Sequence, residues 1–170
     1  MIADTTVASA TKEGVTMYRI MRRINLVSRC QGYFVLDRLK SADLCFSHHS
    51  YLLAVARCPG IAQEELAQEL CVNKSSVTRA LAHLERHGYV ERRCSAQDRR
   101  VQQVYPTEKL EQMLPRIREA LRQWNAYLTA EFSDSEMQQF ERVLDRMVER
   151  ARDYSNHRSE AKPCRLFFAI

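Results

Sequence analysis

Between Ile61 and Thr107 the chain reads IAQEELAQELCVNKSSVTRALAHLERHGYVERRCSAQDRRVQQVYPT, and this order of patterns leaves little freedom of fold. Gln63 to Leu70 carries Leu66, Ala67 and Leu70 at i, i+1 and i+4, one small apolar face of a short helix. Cys71-Val72-Asn73 is a tight polar connection, and Asn73 suits the cap of a second helix because its side-chain oxygen can accept from a free backbone N–H of the first turn. That helix is expected over Lys74 to His87, closed by Gly88. Val77, Ala80, Leu81 and Leu84 fall at i, i+3, i+4 and i+7 and must face a core. Two β-type runs follow, Tyr89 to Cys94 and Val101 to Tyr105, around a polar loop. Helix, turn, helix and hairpin together describe a helix-turn-helix with a wing.

With the apolar face assigned to a core, Lys74, Ser75, Ser76, Thr78, Arg79, Ala82, His83 and Arg86 are left outward. Short hydroxyls and cations at the start of a helix are what entry into a DNA groove requires. Small side chains let the backbone approach, and the positive end of the helix with Arg and Lys meets phosphate or a guanine edge. From Glu91 to Arg100 there are four Arg against one Glu and one Asp. An Arg on a projecting loop can enter a narrow minor groove, where the negative potential is strongest. Asp98 can fix the loop tip by bonding its backbone or an Arg.

The ELAQEL helix, the NKSSVTRALAHLERHGYVERR segment, the Asp98-Arg99-Arg100 triplet and the Val104 to Thr107 exit are similar to the MarR family of winged-helix transcription regulators, over about residues 17 to 153. The resemblance implies major-groove contacts by Ser75, Ser76, Thr78 and Arg79, and a wing contact by Arg100 with Asp98 as its support and Arg99 between them. Departures from the family pattern are Ala62 at a helix-cap position, Gln103 and Pro106 in place of apolar residues, and Leu110 in place of glycine.

Outside the winged segment the chain reads as helix. Met17, Ile20, Ile24, Val27 and Phe34 recur at helical spacing from about Val15 to Lys40. Ser47 is a candidate cap for a helix carrying Tyr51, Leu52, Val55 and Ala56 and ending at Cys58-Pro59-Gly60. Leu110, Leu114, Ile117, Leu121, Trp124 and Leu128 form one stripe, with Pro115 expected to kink its helix or lie near its start. Met137, Phe140, Leu144, Met147 and Ala151 form another, opened by a capping box at Ser133 to Glu136. One small winged core offers too little surface to bury three such helices, so a homodimer is expected. The fold class is therefore mainly α with a small β wing, a winged helix-turn-helix plus long dimerisation helices. The expected division is a disordered lead over 1–14, one domain over 15–154 and a tail over 155–170. Within the domain the winged part takes about 47–107, and the dimerisation helices about 15–40 and 108–153. The tail ends in Pro163-Cys164-Arg165-Leu166-Phe167-Phe168-Ala169-Ile170, apolar enough to seek a surface.

A net charge of +5 suits a polyanionic partner, and four Gly and four Pro in 170 residues favour long helices. No window is long and apolar enough to cross a membrane, and the polar N-terminus lacks the apolar stretch of a secretory signal, so a cytoplasmic protein is expected. Cys30, Cys45, Cys58, Cys71, Cys94 and Cys164 form no CxxC pair, which favours reduced thiols over a disulfide framework or zinc site. His83 and His87 are one turn apart, but no third ligand is evident, so neither metal nor cofactor is expected. No Ser-His-Asp set, phosphate loop or carboxylate pair points to an enzyme.

The expected function is a sequence-specific DNA-binding transcription regulator. It would be a homodimeric repressor on a pseudo-palindromic operator, released by a small aromatic or anionic ligand of the kind the family resemblance implies. Arg23, Tyr33, Phe46, His49 and Tyr51 are candidate ligand-binding residues. Alternatives are a thiol-based redox sensor of the same fold using Cys30 or Cys45, and a winged-helix module for protein contacts without DNA binding.

Overall fold

The computed structural model describes residues 5–40 and 43–158, with side chains over 19–40 and 43–154. Among the described residues six helices and three short strands follow one another: α1 (Thr5–Leu39), α2 (His48–Arg57), β1 (Ile61–Ala62), α3 (Gln63–Glu69), α4 (Lys74–Arg86), β2 (Val90–Cys94), β3 (Gln102–Pro106), α5 (Glu108–Thr129) and α6 (Asp134–Arg158). The mainly helical winged architecture is thus the observed one.

Two helix boundaries and one cap differ from expectation, α6 running on to Arg158, five residues beyond the expected limit of about 153. Helix α1 starts at Thr5, not near Val15, so residues 5–14 are helical where a disordered lead was expected. That stretch holds no proline and only Gly14, so a helix nucleated further along extends into it at little cost. Ser47 does not cap α2. Its backbone is already helical at φ −92° and ψ −9°, which turns the hydroxyl away from the free N–H groups. The Cys45 N–H instead donates to His48 Nδ1 at 3.1 Å. The tail from 159 onward, Cys164 included, lies outside the described residues.

The sheet has the order β1-β3-β2 and is antiparallel throughout, with Ile61 opposite Val104 and Arg92 opposite the same Val104 on the other side. Strand β1 went unread in the sequence because two residues cannot show an alternation. Gly60 makes it possible: it sits at φ +85°, where its N–H donates to Val104 O at 2.8 Å. Pro106 and Leu110 do not disturb the exit from the wing. Pro106 ends β3 opposite Val90, the Thr107 hydroxyl receives the Leu110 N–H, and Leu110 is fully buried. Pro115 lies within α5, two turns from its start.

The core gathers Val35 and Leu39 from α1, Leu52 and Val55 from α2, Leu66 from α3, Val77, Leu81 and Leu84 from α4, Val90 and Val104 from the wing, and Leu110 and Ile117 from α5. The expected faces of α3 and α4 are therefore the buried ones. The long helices behave differently along their length. Phe34 packs on Trp124 with ring centroids 5.4 Å apart, yet residues 21–30 of α1 are all exposed. Helix α6 packs extensively against no other element among the described residues. Ser133 and Glu136 close the expected capping box, Ser133 N donating to Glu136 Oε2 at 2.9 Å. One buried carboxylate, Glu69, is paired with Arg57 and ties α3 to α2.

A candidate DNA-reading surface

The turn between α3 and α4 is built from local backbone chemistry. Cys71 takes a left-handed conformation at φ +51°, and Val72 N donates to Ala67 O at 3.0 Å. Asn73 then caps α4, its Oδ1 accepting from Ser76 N at 2.7 Å and from the Ser75 hydroxyl at 2.8 Å. This holds Lys74, Ser75, Ser76, Thr78 and Arg79 on the first turns of α4, all exposed except Ser76, which is half-buried. Lys74 is ion-paired with Glu64, but both groups are so exposed that the pair is worth little and can exchange for phosphate. Ala62, lacking a capping side chain, still has its N–H satisfied by Glu65 Oε2 at 3.0 Å.

At the wing tip, Asp98 Oδ1 accepts the Arg100 N–H at 2.9 Å, and Val101 N donates to Asp98 O at 2.9 Å. Asp98 therefore fixes the loop through its backbone. Arg99 and Arg100 are exposed and form no ion pair among the described residues. The other two wing arginines serve the protein itself. Arg93 pairs with Glu91 and lies over the Tyr105 ring at 4.6 Å. Arg92 grips Glu85 of α4: Nε donates to Oε2 at 3.0 Å and the backbone N–H to Oε1 at 3.1 Å. The Arg92 guanidinium holds the Glu85 carboxyl below the usual carboxylate range. The base of the wing is thereby tied to the C-terminal end of α4.

His83 does not face outward as the helical spacing suggests. Its Nε2 meets Asp43 O at 2.6 Å, and its ring stacks between His48 (4.8 Å) and His87 (4.2 Å). Burial first, then the neighbouring His83, His87 and His49, lowers the His48 pKa from 6.5 to about 4. The His83–His87 spacing was visible in the sequence; the approach of His48 from another helix was not. Among the described residues no group of His, Cys, Asp and Glu could hold a metal ion.

Of the candidate ligand-binding residues, three come together. Tyr33 and Phe46 have ring centroids 6.3 Å apart, and His49 Nδ1 bonds Phe46 O at 2.8 Å. Gly32 allows this, since a Cβ there would lie 2.9 Å from Phe46. Burial lowers the His49 pKa against the opposing effect of its bond to Phe46. Tyr51 is instead core, 6% exposed, and Arg23 lies ten residues before Tyr33, about 15 Å along α1. Cys30 and Cys45 are exposed free thiols, as are Cys71 and Cys94, while Cys58 is half-buried.

A family model described as the MarR family matches residues 42–101, the segment that holds α2, α3, α4 and the wing. The chain is 26% identical over 141 residues to an uncharacterized HTH-type transcriptional regulator, YybA, of Bacillus subtilis, covering 81% of this chain and 94% of that one. The crystal structure of the transcriptional regulator SlyA superposes with a TM-score of 0.77 at 26% identity, over 82% of this chain and 99% of SlyA. The winged segment of this chain is thus similar to the MarR family, and the chain shares the fold of SlyA. A Listeria monocytogenes member in complex with 26mer DNA shares its fold, with a TM-score of 0.74 at 22% identity over 84% of this chain and 95% of that one. The chain carries its α4 and wing on the scaffold of these structures, and no described helix is long and apolar enough to cross a membrane.

Proposed function

We propose that this chain is a sequence-specific DNA-binding transcription regulator of the MarR family, a homodimeric repressor released by a small aromatic or anionic effector. The observation that carries the reading is a contrast among the arginines of the wing. Arg92 and Arg93 are ion-paired within the fold, whereas Arg99 and Arg100 at the tip are exposed and form no ion pair among the described residues, and Arg79 on α4 is likewise exposed and in no such pair. Cations left unpaired on a helix N-terminus and on a wing tip suit phosphate and base edges.

Dimerisation is supported by the apolar side chains left in water. Met21, Leu26 and Val27 on α1, Tyr127 and Leu128 on α5, and Phe140 and Val143 on α6 are all exposed in the single chain. A second copy would cover them, and a two-fold pair of α4 helices would read half-sites about one helical turn (~10 bp) apart or a multiple of it. The Tyr33–Phe46–His49 cluster supports effector binding. It joins Tyr33 of α1 and His49 of α2 through Phe46 on the connection between them, and the same connection supplies the Asp43 carbonyl held by His83 of α4. A ligand there would shift the equilibrium toward a form in which α4 is misplaced for DNA.

The test is binding of the purified protein to its own upstream DNA by fluorescence anisotropy, at two salt concentrations and against a scrambled duplex. Tight, salt-sensitive and selective binding is expected. Equal weak binding to both duplexes, and to a library of random duplexes, would overturn the reading.

A further inference from the structure

Thr78 and Gln63 form a link between α3 and α4 on the exposed side of the helix-turn-helix. The Gln63 Nε2 donates to Thr78 Oγ1 at 2.7 Å, and Thr78 Oγ1 donates to Lys74 O at 2.9 Å. A threonine hydroxyl has one hydrogen and two lone pairs. Here the hydrogen is committed to the carbonyl one turn back, and one lone pair is committed to Gln63. Thr78 therefore has no hydrogen to give to the major-groove acceptors of adenine, guanine or thymine. What an exposed Thr78 retains is its methyl group and one lone pair, which can only accept from an adenine or cytosine amino group and cannot donate.

We propose that Thr78 reads a thymine, by apolar contact between its methyl and the thymine 5-methyl, and that Gln63 is the positioning residue that holds the hydroxyl out of the way. The inference rests on the DNA-reading role proposed above and adds a base identity to it. A Thr methyl against a thymine methyl is one of the few apolar contacts the major groove offers. Gln63 is the first residue of α3, fifteen positions from Thr78, so only the folded chain brings the two together. Without Gln63 the hydroxyl keeps a single bond, and other rotamers of Thr78 become accessible.

The experiment begins with the duplex that the full-length protein selects from a random library. Each thymine of a half-site is then replaced by deoxyuridine, which removes only the 5-methyl, and affinity is read by anisotropy. One position per half-site is expected to lose about fourfold, the worth of one buried methyl. Thr78→Val keeps the methyl and should keep that penalty. Thr78→Ser should abolish it. Gln63→Ala should reduce it and broaden base preference at that position, with the urea midpoint unmoved. Selective binding with no uracil-sensitive thymine would overturn the proposal and leave the DNA-reading role standing, as would a penalty that survives in Thr78→Ser. Failure to select any sequence would instead remove the DNA-reading role, and this inference with it.

Discussion

His48 gives the structure a stability that depends on pH in a calculable way. Its imidazole is buried, 6% exposed, and accepts the Cys45 N–H through Nδ1, so the folded state favours the neutral form. The folded pKa is about 4 against a usual 6.5. Between those values the unfolded chain binds a proton that the folded chain refuses. Stability is therefore full above pH 6.5, falls as the pH drops from 6.5 toward 4, and changes no further below that on account of this group. At pH 5 the unfolded imidazole is almost wholly charged and the folded one about one-tenth charged, a difference of about 2 kcal/mol. His48→Asn isolates the effect, because an Asn oxygen can replace Nδ1 as the acceptor for Cys45 and does not titrate. Urea unfolding at pH 7, 6 and 5, at one protein concentration, should show wild type losing about 2 kcal/mol more than the variant between pH 7 and 5. Carboxylates such as Glu85 and Glu136, and His49, titrate in both proteins and cancel in the comparison. Parallel pH profiles for the two proteins would refute the argument that burial keeps His48 neutral.

Other substitutions probe other contacts. Arg100→Ala should weaken operator binding by about 1–3 kcal/mol in anisotropy while the oligomeric state stays the same; unchanged affinity would take the wing out of the mechanism. Arg79→Ala should alter the sequence selected from random duplexes, and an identical selection would confine Arg79 to phosphate. Arg57→Ala leaves the buried Glu69 carboxylate unpaired and should cost about 3 kcal/mol in urea unfolding at pH 7; a loss below 0.5 kcal/mol would mean that the pair does not hold α3 to α2. Phe140→Asp places a charge on the exposed apolar face of α6 and should shift the protein toward monomer in analytical ultracentrifugation, whereas an undisturbed dimer would locate the interface elsewhere.

The amino-acid sequence determined the helix-turn-helix because its signals are local. Val77, Leu81 and Leu84 share one face by spacing alone, Asn73 caps through a bond to a residue three positions on, and Gly88 stops α4 at φ +73°. Asp98 fixes the wing tip within three residues of itself, so its role was legible as well. What the tertiary structure decided are contacts between residues far apart in the chain. Periodicity put His83 outward, and only the arrival of Asp43 and His48 made an inward position favourable. Four wing arginines looked alike until Glu85 of α4 claimed Arg92 and the cross-strand geometry set Arg93 over Tyr105. Tyr51 and Tyr33 were equally plausible ligand contacts, yet packing buried one and left the other in water. Strand β1 and the Gln63–Thr78 link exist only because partners more than ten residues away come within hydrogen-bonding reach. Spacing within one element records which face is apolar; it carries no record of which distant group will meet the polar side chains on the rest of that element.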